Sequence, residues 1–190
     1  GTQDFMGRDL DGDNIIGSFN NLNAFIKINY TSLSFVTPPV DFLYSRLVIT
    51  RDSNNDVRLY INGIESTTGS QSKIGDFKIS TFGRQRTYYG NIILSDVQFY
   101  NKAWTEPDVA FDYNNPNKLV TDSANTGTSL VVADLKGYWA LSEGDGLVAY
   151  DSSGNGNDGD NVTPTSGDLI GATYVDKQDT IPQLGMMDWA

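Results

Sequence analysis

The chain has 190 residues, of which 38% are hydrophobic and 19% charged, a balance that fits a folded domain and excludes a disordered one. A formal net charge of −11 repels phosphate backbones and anionic lipid, so nucleic acid is excluded as the main partner. The sequence holds no cysteine and no histidine, which removes disulfides, thiolate metal sites, the Ser-His nucleophile pair and the commonest zinc ligand.

The 19 glycines, with many Asn, Asp, Ser and Thr, imply many tight turns and therefore many short strands. This length suits a single all-β core. No apolar run is long enough to cross a bilayer as a helix, so no membrane insertion is expected. The chain begins at Gly1 with no signal peptide, and an internal fragment or a processed product is the expectation.

In chain order, residues 1–20 are rich in Gly and Asp, with one short apolar stretch at Ile15-Ile16. Near alternation over 24–30 predicts a strand, and 32–36 predicts another, stopped by Pro38-Pro39. Residues 46–51 and 57–61 read as strands around an Asp52–Asp56 turn. Asn62-Gly63 is a strong hairpin turn, because both residue types tolerate positive φ, and 64–67 returns from it. Alternation places Val57, Leu59 and Ile61 on a buried face, with Arg58 and Tyr60 on the other. Residues 77–82 and 91–100 add two strands, and Ile92, Leu94, Val97 and Phe99 join the predicted core.

Residues 104–113 form the one predicted helix. Thr105 is its N-cap, Glu106, Pro107 and Asp108 fill the first turn, and Asn114-Asn115-Pro116 ends it. Residues 117–134 read as a connector with few anchors. Strands over 137–141 and 147–150 flank the Glu143–Gly146 turn, Asp151–Asp160 is a loop, and 172–175 is the last strand.

Two stretches resemble the laminin-G-like, concanavalin A-like family. The first runs from Leu47 to Gly63, then through Phe82-Gly83-Arg84 and Tyr89–Ala103. The second is Gly137–Gly146 followed by Tyr150–Gly159, with the sequence YDSSGNGNDG. Two ordered strings covering about half the chain are more specific than one short motif. The resemblance implies an all-β, two-sheet antiparallel jelly-roll sandwich with one short helix. The second string stands last here, whereas in typical members it comes first. This order implies a body over 1–116, a connector over 117–134, strands over 135–176 that complete the sandwich or begin a neighbouring module, and a tail over 177–190. The tail is similar to the ends of structural proteins of marine phages, and the absence of cysteine leans the same way.

Three places carry candidate chemistry. Asp9, Asp11 and Asp13 alternate around Gly12 like the start of a Ca²⁺ loop, but the twelfth position is Asn20, so a solvated turn is the plainer reading. Asp151–Asp158 offers a second oxygen-rich loop, where capping of backbone N–H groups by Asp151 and Ser153 is favoured over a cation or sugar site. Tyr88 and Tyr89, beside Arg84 and Arg86, are the best ligand candidates: aromatic faces pack on sugar rings, and Arg binds carboxylates bidentately. A solvated loop is the plainer alternative.

Strand acids such as Asp96 have no partner at the spacing retaining glycosidases need, so no enzyme is expected. The expectation is a non-enzymatic, carbohydrate-recognising surface or adhesion module, virion-borne or extracellular. Its partners would be a glycan or other virion or surface proteins, with calcium as the one possible cofactor and a homo-oligomer as a possible assembly. The alternative is a purely structural module of a phage tail or capsid.

Overall fold

A computed structural model of the chain describes residues 3–7, 15–20, 23–28, 31–36, 45–75, 77, 80–82, 84–85, 88–89, 94–143 and 148–160. The fold is mostly β with one short α-helix. Strands β1 (Gln3–Gly7), β2 (Ile15–Asn20), β3 (Asn23–Ile28) and β4 (Thr31–Val36) form an antiparallel meander. The second sheet is built from β5 (Leu47–Arg51), β6 (Asp56–Ile61), β7 (Ile64–Glu65) and β8 (Gln71–Ser72). Strand β9 (Thr81–Phe82) pairs with β1, so the first sheet has the order β4-β3-β2-β1-β9. Two-stranded sheets follow: β10 (Arg84–Gln85) with β11 (Tyr88–Tyr89), β12 (Val97–Tyr100) with β13 (Leu135–Trp139), and β14 (Val148–Ala149) with β15 (Gly159–Asp160). Helix α1 (Glu106–Asn114) lies between β12 and β13, and a 3-10 turn (Val132–Asp134) leads into β13.

The second sheet shows how sequence pattern becomes architecture. In β5–β6 the register sets Leu47 opposite Ile61 and Ile49 opposite Leu59, while Val48 faces Tyr60. Alternation then divides these residues between two cores. Leu47, Val57, Leu59 and Ile61 pack with Ile26, Ile28, Leu33 and Phe35 of β3–β4 and with Val97 and Trp139 of β12–β13. Val48 and Tyr60, on the opposite face, pack with Trp104, Val109, Val120 and Leu130. The sheet is therefore covered on both faces, by the meander on one and by α1 and the following segment on the other.

The hairpin turn between β6 and β7 has the two positive φ angles its sequence calls for, 52° at Asn62 and 79° at Gly63. Helix α1 starts where the sequence places it. Thr105 and Asp108 form a reciprocal capping box, with Pro107 in the first turn.

Several expectations change. Residues 3–7 and 15–20 are strands, although their Gly and Asp content predicted little beyond Ile15-Ile16. Of the strand expected over 91–100, residues 91–93 lie outside the described residues; 94–96 are not strand and Val97–Tyr100 is, because Asp96 adopts a left-handed φ of 55° that breaks an extended run. Of the strand expected over 77–82, Thr81–Phe82 is strand, Phe77 and Ser80 are not, and residues 78–79 lie outside the described residues. Ile92 and residues 172–175 lie outside the described residues. The 117–134 segment, read as poorly anchored, buries Val120, Thr121 and Leu130.

Instead of two continuous sheets, the described pairings make five separate ones. Part of the reason is that side chains occupy strand edges that a further strand would need. On the free edge of β4, the Val36 N–H donates to Thr68 Oγ1 at 2.8 Å. Ser66 Oγ donates to the Val36 carbonyl at 2.8 Å, and Gln71 Nε2 to the Ser34 carbonyl at 2.7 Å. An edge closed in this way is a poor template for strand addition.

Candidate functional site

The predicted ligand residues fall on the β10–β11 hairpin. Its antiparallel register sets Arg84 opposite Tyr89 and Gln85 opposite Tyr88. Directly opposed residues of an antiparallel pair share a face, so the backbone brings an arginine and a tyrosine together on one side. The hairpin follows Phe82 by one residue. Phe82 pairs with Met6 across β9–β1, and its ring meets Trp139 edge-on at 5.2 Å and stacks on Phe99 at 6.1 Å. The base of the hairpin is thus fixed in the main core. Arg86 lies outside the described residues, as do Asp9, Asp11 and Asp13.

The Asp151–Asp158 loop is fully described, and its geometry fits the capping reading. Asp151 Oδ1 accepts the N–H of Tyr138 and of Ser153, each at 2.9 Å. Its Oδ2 accepts the backbone N–H and the Nδ2 of Asn157, again at 2.9 Å each. Four donors fill the acceptor positions of one carboxylate. Burial works to raise its pKa, but the bonds from Ser153, Tyr138 and Asn157 outweigh burial and hold it well below the usual carboxylate range.

The loop also closes the outer edge of β13. Ser152 N–H donates to the Tyr138 carbonyl at 2.7 Å, Asn155 Nδ2 to the Leu135 carbonyl at 3.1 Å and Asn157 Nδ2 to the Lys136 carbonyl at 2.9 Å. Trp139 Nε1 donates to the Asn157 carbonyl at 3.0 Å, tying the loop to the core. Gly154 and Gly156 take positive φ, 82° and 74°, which makes this tight path available. Among the described residues, no group of three or more His, Cys, Asp or Glu side chains is placed to hold a metal ion.

A third cluster was not legible in the sequence. Arg46, Asp96 and Asp112 come from the residue before β5, the residue before β12 and the last turn of α1. All three are buried. Asp112 receives Arg46 Nε and Nη2 through both carboxylate oxygens, and Asp96 Oδ2 accepts Arg46 Nη1 at 3.2 Å. The Tyr138 hydroxyl bonds Asp96. Burial first, then the Asp96 charge and that bond, push the Tyr138 phenol above its ordinary pKa. Tyr100 is raised too, by burial and then by the charges of Asp112 and Asp96. Asp96, which has no sequence neighbour to pair with, finds its partner 50 residues away.

Asp108 is a second buried acid of α1. It accepts from Thr105 N–H at 2.8 Å, Ser129 N–H at 2.6 Å and Ser129 Oγ at 2.7 Å, which pins the 117–134 segment to the helix. The available sequence signal was the spacing of Asp108 and Asp112. Residues four apart share one helix face, and here that face is the buried one.

Compared with models of known families, with curated proteins and with solved structures, the chain finds no match.

Proposed function

We propose that the chain is a laminin-G-like jelly-roll sandwich acting as a non-enzymatic binding module of a virion or extracellular surface. In this reading the β10–β11 hairpin recognises a carboxylate-bearing glycan. The observation that carries it is the register of Arg84 opposite Tyr89, on a hairpin whose base is fixed by Phe82. Arginine supplies paired donors for a carboxylate, and tyrosine supplies a stacking face for a sugar ring. Tyr88, at the neighbouring register position opposite Gln85, falls on the other face of the hairpin, so the site rests on Arg84 and Tyr89. The sandwich reading is supported by the single core shared by β3–β4, β5–β6 and β12–β13.

The non-enzymatic reading is supported by the state of the well-placed acids. Asp96 and Asp112 are buried on Arg46, Asp108 is buried on Thr105 and Ser129, and Asp151 is filled by N–H donors. None of these offers a free carboxylate to a glycosidic bond. Calcium at Asp9, Asp11 and Asp13 belongs to the same proposal, since all-oxygen donors on an acidic chain suit that ion. A raised melting temperature with Ca²⁺, reversed by chelator, is its test.

The main test is a glycan array containing neutral and acidic sugars, probed with the wild type and with Arg84→Ala. Binding confined to acidic glycans and lost in the variant is expected. No binding to any glycan would remove the lectin reading and leave the structural assembly module in its place.

A further inference from the structure

The chain contains two Asn-Gly pairs in described loops, Asn62-Gly63 and Asn155-Gly156, and the fold treats them differently. In any Asn-Gly pair the glycine nitrogen has no neighbouring side chain to obstruct its approach to the asparagine Cγ. Whether the approach happens depends on how firmly the asparagine side chain and the turn are held.

Asn62 is held firmly. Its Oδ1 accepts the Arg46 N–H at 2.8 Å, and its own N–H donates to the Arg46 carbonyl at 2.8 Å. Gly63 lies under the Tyr113 ring, so that a β-carbon there would meet Tyr113 Cδ1 at 3.2 Å. The side chain cannot turn toward Gly63 N without breaking the β5–β6 hairpin closure.

Asn155 is exposed and flanked by two glycines. A β-carbon built on Gly154 or on Gly156 would meet nothing within 4 Å, so no packed neighbour restrains the turn. Among the described residues, two bonds hold its side-chain amide, from Nδ2 to the Leu135 carbonyl at 3.1 Å and to Ser153 Oγ at 3.0 Å.

We propose that Asn155 is a spontaneous deamidation site, and that its conversion removes part of the cap on the β13 edge. Gly156 N attacks Asn155 Cγ and forms a new C–N bond. The Cγ–Nδ2 bond breaks, and Nδ2 leaves as ammonia with the proton from Gly156 N. Water then opens the resulting five-membered imide. Opening at Cγ gives aspartate, and opening at the main-chain carbonyl gives isoaspartate.

Aspartate puts a carboxylate oxygen where the Nδ2 donor faced the Leu135 carbonyl, so acceptor faces acceptor; in isoaspartate Cγ joins the main chain and the carboxylate sits on Cα, so the same donor is lost. The new charge also falls in a loop that already holds Asp151 and Asp158. Isoaspartate further lengthens the backbone between Ser153 and Asn157. That shifts the carbonyl that receives Trp139 Nε1 and the amide that caps Lys136. The modification therefore reaches the main core through Trp139.

The test is timed incubation of the full chain in mildly alkaline buffer, folded and in parallel in denaturant, followed by peptide mass mapping. In the folded protein, amide-to-acid conversion is expected at Asn155 well ahead of Asn62. In denaturant the two sites should convert at similar rates. An Asn155 that converts in denaturant but stays intact in the folded chain would overturn the proposal, and so would an Asn62 that converts as fast. The uncapping is read separately from Asn155→Asp made directly. Loss of one such bond should lower the melting temperature by about 2–4 °C. An unchanged melting temperature would show that the cap does not depend on Asn155.

Discussion

Asp112, in the last turn of α1, grips the Arg46 guanidinium through both carboxylate oxygens, although 66 residues separate them. The pair links the only α-helix among the described residues to the start of β5, and neither partner reaches solvent. A buried pair of this kind adds little net stability relative to well-packed apolar residues, but removing one partner leaves the other charged and unsolvated. Arg46→Met is therefore expected to cost about 3–5 kcal/mol, with Asp96 and Asp112 left without their cation. Urea melts followed by circular dichroism check this. A loss below about 1 kcal/mol, the range of exposed pairs, would mean that water reaches the cluster.

Leu59 tests the main core. It is 0% exposed, at the centre of β6, between Val57 and Ile61 on the face that meets the meander. Leu59→Ala should destabilise by about 2–5 kcal/mol, combining lost transfer energy with an unfilled cavity. Ile64, 58% exposed beyond the hairpin turn, is the control, and its replacement by Ala should stay within about 0.5 kcal/mol. Equal effects from the two would show that the buried face has been misassigned.

Where local rules act, the sequence was readable. The period-2 pattern over 57–61 identifies the face of Val57, Leu59 and Ile61, because one side of β6 meets the meander. Asn62-Gly63 marks the turn through backbone sterics alone, and Thr105 with Asp108 marks a helix start through hydrogen bonds three residues apart. Contacts made across long loops were not readable. Nothing near Arg46 points to Asp96 or Asp112, and nothing local to β1 announces its pairing with β2 and β9. The candidate ligand site was partly readable. Arg84, Tyr88 and Tyr89 stand close in sequence, but only the register shows that Arg84 opposes Tyr89. The Asp151 loop could be read as a cap or as a cation site, since both use oxygen atoms on a turn. Its meaning depends on β13, a strand more than ten residues before it.

Gly137 shows how closely that strand is packed. It is buried beneath the Trp139 indole, and a β-carbon added to it would fall 2.6 Å from Trp139 Cζ3 and closer still to Cη2. The indole cannot swing aside freely, because Nε1 is bonded to Asn157 and the ring meets Phe82 and Phe99 edge-on. Gly137→Ala should cost about 1–3 kcal/mol through overpacking, and should red-shift tryptophan emission as Trp139 is displaced toward water. Wild-type stability with unchanged emission would mean that the ring finds another rotamer without loss.

The ionisable groups set opposite limits on the pH range of stability. Asp108 and Asp151 lie below their ordinary value of 3.8. Burial raises both, but hydrogen bonds from Thr105 and Ser129 to Asp108, and from Ser153, Tyr138 and Asn157 to Asp151, outweigh it. Because the folded pKa is the lower one, their stabilisation is complete above pH 3.8 and is lost as pH falls through the folded values. Tyr100 and Tyr138 are raised above 10.0, by burial and then by the nearby aspartates. Their contribution is complete below pH 10.0 and is lost as pH rises through the folded values, because the unfolded chain ionises first. The chain's net charge of −11 also changes with pH, so difference profiles isolate the individual groups. The melting temperature of wild type minus Asp151→Asn should be largest near neutrality and shrink below pH 3.8, as the protonated acid comes to resemble the amide. Wild type minus Tyr138→Phe should be constant up to pH 10.0 and fall above it. Flat profiles in these windows would show that the carboxylate at position 151 and the phenol at position 138 titrate alike in the folded and unfolded chains.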